Sequence, residues 1–168
     1  WMAGMINSTT TDTPTAQHPD YNYVLTQNYQ VQTTGGGNTF SWWKGDGLAI
    51  DFTNSAAVSW FMSNNNANLI AWGVRGFKVD QHNGWLSSTL TTSAGSDYAG
   101  ADISNQVYTE YYQAKVYDWI YDQTAGTDHA GLTISRPYSN QGYGGAQYHT
   151  PVSKLTAGWG GDFAGDFS

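Results

Sequence analysis

The chain contains no cysteine. Disulfides, thiolate nucleophiles and cysteine-ligated zinc or iron–sulfur centres are therefore excluded together. Positive charge is also scarce, with 6 Lys and Arg against 13 Asp and Glu and a net charge of -7. No basic patch exists to neutralise phosphates, so nucleic acid is not an expected partner. Charged residues of both signs make up only 11% of the chain, so the polar surface must come from Asn, Gln, Ser, Thr and Gly. No apolar run approaches the ~18–20 residues of a membrane-crossing helix, and no membrane partner is expected. What the chain has in excess is aromatic, 15% of residues, with 8 Trp and 12 Tyr. Aromatic rings and amides together suit a protein that stacks on sugars and hydrogen-bonds to them. A secreted β-rich protein with a large aromatic core has the same composition. The low Lys content and the small polar residues point to an extracellular or periplasmic location. The opening on Trp1, in apparent mid-sequence, is what a piece of a longer chain is expected to look like.

Hydrophobic periodicity supplies a coarse map. Trp1 to Ile6 reads as the end of a buried strand, and Tyr21 to Val31 as strand-like, followed by a turn at Gly35-Gly36-Gly37-Asn38. That glycine run has no Lys after it and is a loop, not a phosphate cradle. Leu48-Ala49-Ile50-Asp51 is an apolar step ending in a carboxylate, with Thr53 or Asn54 placed to cap a helix that runs on to about residue 70. Gly76 to Val79 has the composition of a buried parallel strand and ends at Asp80. A Gly/Ser/Thr-rich loop over residues 81–104 precedes a second helix at 105–122, with Val107, Tyr111, Ala114 and Ile120 among its apolar positions. Gly131 to Arg136 and Lys154 to Trp159 read as two more strands, the last ending at Asp162. Alternating strands and helices predict an α/β fold with a parallel sheet. Asp51, Asp80, Arg136 and Asp162 all fall just after strands, the edge at which α/β barrels build active sites. A complete (β/α)8 barrel needs roughly 250 residues. The 168 residues here are therefore expected to form a fragment of one such barrel domain.

Four stretches, taken in order, resemble glycoside hydrolase family 31. They are Leu48-Ala49-Ile50-Asp51-Phe52-Thr53-Asn54, Gly73-Val74-Arg75-Gly76-Phe77-Lys78-Val79-Asp80, the segment Ser135-Arg136 with Gly144-Gly145-Ala146-Gln147-Tyr148, and Trp159-Gly160-Gly161-Asp162. The resemblance implies a partial (β/α)8 TIM barrel, roughly strands 3 to 6 with their helices and long loops. Asp80 would end strand 4 and Asp162 strand 6. It further implies a retaining α-glycoside hydrolase or transglycosylase, with Asp80 as nucleophile and Asp162 as general acid/base. The partner would be an α-linked oligosaccharide or glycoside, and the remainder of the catalytic domain is expected alongside. Several positions depart from the family pattern. Asn83 stands three residues after Asp80 where many members carry Glu, Arg75 replaces a usual Asp, Ser55 a usual Pro, and Tyr148-His149 a common Arg-Tyr. The Asn83 change bears on substrate choice more than on reaction type.

The chemistry asks for two carboxyl groups in different states. One must be ionised to attack the anomeric carbon, and the other protonated to donate to the leaving oxygen. Positive charge from Lys78 and Arg136 would favour the Asp80 anion. Trp159 and Phe163 beside Asp162 would desolvate it and favour its neutral form. Each Asp has a plainer alternative, as a strand-end or capping carboxylate. Arg136 and Lys78 are candidates to bind sugar hydroxyls, or else form an ordinary ion pair. Trp43 and Trp159 are candidate sugar platforms, His82 a candidate pocket residue, and Asp51 either a hydroxyl ligand or simply the end of its strand. The 4 His residues lack paired metal-ligand spacing, and Asp80-Gln81-His82-Asn83-Gly84 lacks the later Glu of a calcium loop. No metal and no cofactor are expected. Two rival readings are an α-galactosidase of a related clan family, against which the Trp-Gly-Gly-Asp segment argues, and a non-catalytic carbohydrate-binding module. The second would be all-β, without a close carboxylate pair.

Overall fold

The structure is a computed structural model that describes residues 2–8, 18–42, 45–80, 86–128, 130–135 and 157–158. Its organising element is a parallel sheet. Strand β5 (Gly76–Val79) pairs with β8 (Leu132–Ser135), and β8 with β9 (Ala157–Gly158), both parallel. On the other side of β5, Met2 bridges to Val79, also in parallel. The Met2 N–H donates to the Lys78 carbonyl at 2.8 Å, and the Asp80 N–H donates to the Met2 carbonyl at 3.0 Å. Spatial order thus follows sequence order, as it does where successive βα units are laid side by side. The connection from β5 to β8 contains helix α4 (Asn105–Thr124), which the Ser104 hydroxyl caps by accepting from the Val107 N–H at 3.2 Å. A 20-residue helix and a parallel sheet are incompatible with an all-β module.

Two antiparallel sheets surround this unit. In the first, β4 (Gly45–Ala49) lies between β1 (Met5–Asn7) and β3 (Phe40–Trp42). The step at Leu48–Asp51 therefore belongs to an antiparallel sheet and not to the parallel series. Gly47 is required there, because a Cβ would lie 2.6 Å from the Ile6 carbonyl oxygen. In the second, β6 (Thr89–Thr91) lies between β2 (Gln32–Thr33) and β7 (Asp102–Ser104). Residues 81–104 are thus more than a loop. Leu90 and Ile103 face each other across the pair and are buried, with Thr–Leu–Thr and Asp–Ile–Ser alternation around them. The Thr91 hydroxyl donates to the Asp102 carboxylate at 2.7 Å on the outer side.

The strand expected over Tyr21 to Val31 is instead helix α1 (Pro19–Gln27). Its ends explain the reversal. The His18 side chain accepts from the Asp20 N–H, Pro19 brings a helical φ to the first turn, and Asp20 adds a negative charge there. Asn28 at φ 56 then closes the helix through backbone N–H bonds to Leu25 and Val24. Capping chemistry outweighs the modest strand preference of Tyr and Val. The helix expected from about 55 to 72 is present but divided into α2 (Ser55–Asn65) and α3 (Ala67–Ala71). Asn66 breaks it, with non-helical φ and a side chain that donates back to the Phe61 carbonyl at 3.2 Å. Helix α4 matches expectation in extent but not in phase. Tyr108, Tyr112, Val116 and Ile120 are fully buried, whereas Val107 and Tyr111 are only partly so.

These elements meet over one aromatic core. Phe52 lies edge-on to Phe61, Tyr108 and Tyr112, the last at 4.7 Å between ring centroids. Phe77 and Val79 on β5 are buried, and Phe77 meets Trp119 of α4 edge-on. Alternation along the strand puts Gly76, Lys78 and Asp80 in the opposite phase. In register with that phase on β8 are Leu132 and Ile134, exposed at 39% and 46%, while Thr133 between them is 1% exposed. The parallel sheet is therefore covered by a helix on one face and carries an open apolar band on the other.

Candidate active site

Asp80 sits one residue past β5, at the carboxyl edge of the parallel sheet, and is 5% exposed. Its backbone is held by the Met2 carbonyl, so the neighbouring strand tethers the residue itself. Lys78 lies two residues earlier, in the same phase of the strand and half-buried.

Asp51 is the second strand-end carboxylate among the described residues. It is fully buried, and its oxygens are taken up within the protein. One accepts from the Thr53 N–H at 2.9 Å and from the Thr53 hydroxyl at 2.5 Å. The other accepts from the Ser93 N–H at 2.7 Å. Beside it, the Asn54 carbonyl oxygen accepts from the Ala56 and Ala57 N–H groups to cap α2, and its amide donates to the Ser93 hydroxyl at 2.9 Å. The Asp97 N–H donates to the Thr53 carbonyl at 2.9 Å. Asp51 and Asn54 together therefore pin the 92–101 segment onto the start of α2. The sequence pointed to Asn54 as a cap but not to Ser93, whose part depends on a contact across 42 residues.

Two tyrosines of α4 lie beneath this edge. The Tyr108 hydroxyl donates to the Ile50 carbonyl at 2.8 Å, and the Tyr112 hydroxyl to the Met2 carbonyl at 3.1 Å. Burial, and then the Asp51 charge, push the Tyr108 phenol well above its ordinary pKa. Burial, and then the Asp80 charge, do the same for Tyr112, against a weaker downward pull from the Gly4 backbone. Both phenols therefore keep their protons at pH values where an exposed tyrosine loses its own. Their positions four residues apart were visible in the sequence. Their depth was not, because α4 carries aromatics on every side and no single face stood out.

Asp162, Arg136, Trp43, Trp159 and His82 lie outside the described residues, and so does the separation of the two proposed catalytic carboxyl groups. Among the described residues no group of three His, Asp or Glu side chains is placed to hold a metal ion.

Comparison with known proteins agrees with this architecture. The family model for the glycosyl hydrolases family 31 TIM-barrel domain matches residues 2–168. The isomaltosyltransferase of Sporosarcina globispora is 32% identical over 131 residues, covering 71% of this chain and 12% of that protein. The chain thus spans about an eighth of the curated relative's length. Among solved structures, a cycloalternan-degrading enzyme from Trueperella pyogenes in complex with isomaltose superposes with a TM-score of 0.61 at 21% identity, over 96% of this chain and 21% of that one. A family 31 sulfoquinovosidase from E. rectale, in complex with an aza-sugar inhibitor, also gives 0.61, at 14% identity over 89% of this chain and 20% of that one. At such identities the superpositions speak for the fold alone.

Proposed function

Because this chain belongs to the glycosyl hydrolases family 31 TIM-barrel domain family, we propose that it forms roughly strands 3 to 6 of the catalytic barrel of a retaining α-glycoside hydrolase or transglycosylase. In this reading Met2 lies on strand 3, β5 is strand 4, β8 strand 5 and β9 strand 6. The observation that carries the proposal is the placement of Asp80. It is a buried carboxylate at the carboxyl edge of a parallel sheet, with Lys78 in the same phase and its backbone fixed by the adjacent strand. The open band of Leu132 and Ile134 supports the same reading, since barrel interiors are filled by apolar side chains from strands on the far side.

In the mechanism, Asp80 attacks the anomeric carbon while Asp162 protonates the leaving oxygen. The resulting glycosyl–enzyme bond is then broken by water, or by a sugar hydroxyl, with Asp162 removing the proton. The two carboxyl groups should lie roughly 5–5.5 Å apart, the spacing of retaining enzymes. Lys78, Arg136, Trp43, Trp159 and His82 are assigned to the sugar. Asp51 we assign to strand-ending and loop anchoring, because its oxygens are taken up by Thr53 and Ser93. The substrate class is an α-linked gluco-oligosaccharide, supported by the isomaltosyltransferase relative. Composition supports action outside the cytoplasm.

The test is hydrolysis and transfer on a panel of p-nitrophenyl α-glycosides and isomaltosyl oligosaccharides, with the protein that carries this chain. Release of nitrophenol with initial retention of the α configuration is expected. A β-configured first product rules out the double displacement.

A further inference from the structure

The Met2 carbonyl oxygen receives two hydrogen bonds, from the Asp80 backbone N–H at 3.0 Å and from the Tyr112 hydroxyl at 3.1 Å. One side chain of α4 is thereby joined, through a single oxygen, to the backbone of the proposed nucleophile. We propose that Tyr112 is a positioning residue for Asp80, holding through the Met2 carbonyl the strand end that presents the carboxylate. The inference rests on the assignment of Asp80 made above.

Three features suit Tyr112 to this role. It is fully buried, so it does not touch substrate. Its ring is packed edge-on against Phe52 at 4.7 Å, within the buried aromatic core. Its phenol stays protonated, because burial and the Asp80 charge both oppose the anion. The donor is thus kept to a higher pH than an exposed tyrosine would keep it. The geometry matters because a misplacement of about 1 Å can cost about 10²-fold in rate.

The same helix supplies the control. Tyr108 is equally buried and donates an equivalent bond, at 2.8 Å, to the Ile50 carbonyl, which precedes Asp51 instead of joining Asp80. A phenylalanine at either position removes one buried hydroxyl with little change of shape. In the protein that carries this chain, with an aryl α-glycoside as substrate, Tyr112→Phe is expected to lower kcat about tenfold while KM stays within about twofold. Tyr108→Phe is expected to lower the melting temperature comparably and to keep kcat within about twofold of wild type. The proposal is overturned if Tyr112→Phe keeps wild-type kcat, or if both variants reduce kcat equally, since a merely structural role moves the pair together. Should Tyr112→Phe fail to fold, 3-fluorotyrosine at each position makes the same comparison, with a stronger donor of nearly the same shape. A change in kcat confined to position 112 supports the proposal, and no change there overturns it. Asp80→Asn, assayed alongside, separates the two readings. If that variant turns over normally, the nucleophile assignment fails whatever the tyrosines do.

Discussion

Asp51 and Asp80 are the same residue in nearly the same local setting. Each follows a strand, each is almost wholly buried, and each has a tyrosine of α4 beneath a neighbouring carbonyl. They differ in the sheet that positions them. The carboxylate oxygens of Asp51 are taken up by the Thr53 backbone and hydroxyl and by the Ser93 N–H, which fastens a long segment to the start of α2. Asp80 is held by its backbone and stands at the edge of the parallel sheet, in phase with Lys78. A buried strand-end carboxylate is thus no sign of catalysis by itself. The main chain holds both, since the Asp51 N–H donates to the Tyr29 carbonyl at 2.7 Å; what marks Asp80 is its place at the edge of the parallel sheet.

The largest expected effect tests that difference directly. Asp80→Asn in the protein that carries this chain should reduce turnover by about 10⁴-fold or more, because in the proposed mechanism no other group forms the glycosyl–enzyme bond. Its melting temperature should change little. Wild-type turnover would erase the distinction drawn here. Asp162→Ala should cost natural glycosides about 10²–10⁴-fold, the usual worth of a general acid. An activated aryl or fluoride glycoside needs little protonation and should keep its first step. Azide should then restore turnover and give the α-glycosyl azide, and equal losses on both substrates would contradict the role. Asp51→Ala should show the opposite profile. It leaves the Thr53 and Ser93 donors buried without their acceptor, at a cost of about 3–5 kcal/mol. Calorimetry should record the loss, while kcat of the protein that remains folded is preserved. Loss of kcat without loss of stability would move Asp51 to the catalytic side. Asn54→Ala should cost about 1–2 kcal/mol, from the cap of α2 and the bond to Ser93.

The smallest effect is absent at neutral pH. Tyr108 and Tyr112 have pKa values raised above the ordinary 10.0, so the folded protein keeps protons that the unfolded chain loses above that pH. The stability they contribute is fully present below about pH 10 and then falls by about 1.4 kcal/mol per pH unit for each, until the folded-state values are reached. Urea midpoints measured from pH 9 to 11 should fall more gently for Tyr108→Phe and Tyr112→Phe than for wild type. An identical slope in all three would show that neither phenol is insulated by the core.

Much of this arrangement was legible in the chain. Gly76 to Val79 reads as a buried strand because it is short, apolar and bounded by glycine and a carboxylate. The helices at 55 and 105 announce themselves through Asn54 and long periodic stretches. Local signals of this kind act over a few residues, and the sequence displays them whole. Other features were misread because competing local preferences were close. Tyr and Val favoured a strand over 21–31, but His18, Pro19 and Asn28 supplied both ends of a helix. The antiparallel pair within 81–104 was hidden by its turn-forming residues, although Leu90 and Ile103 mark it clearly once they are paired.

By itself, then, the sequence determined the strand-end positions of Asp51 and Asp80, the capping residue of the helix at 55 and the family pattern that joins them. Only the tertiary structure decided that Asp51 fastens the 92–101 segment and that Asp80 stands at the edge of the parallel sheet. Ser93 lies 42 residues along the chain from Asp51, and Met2 and Tyr112, whose bond meets the Asp80 backbone at one carbonyl, lie 110 residues from each other. Hydrogen bonds and burial depend on distance in space, which separation along the chain does not encode.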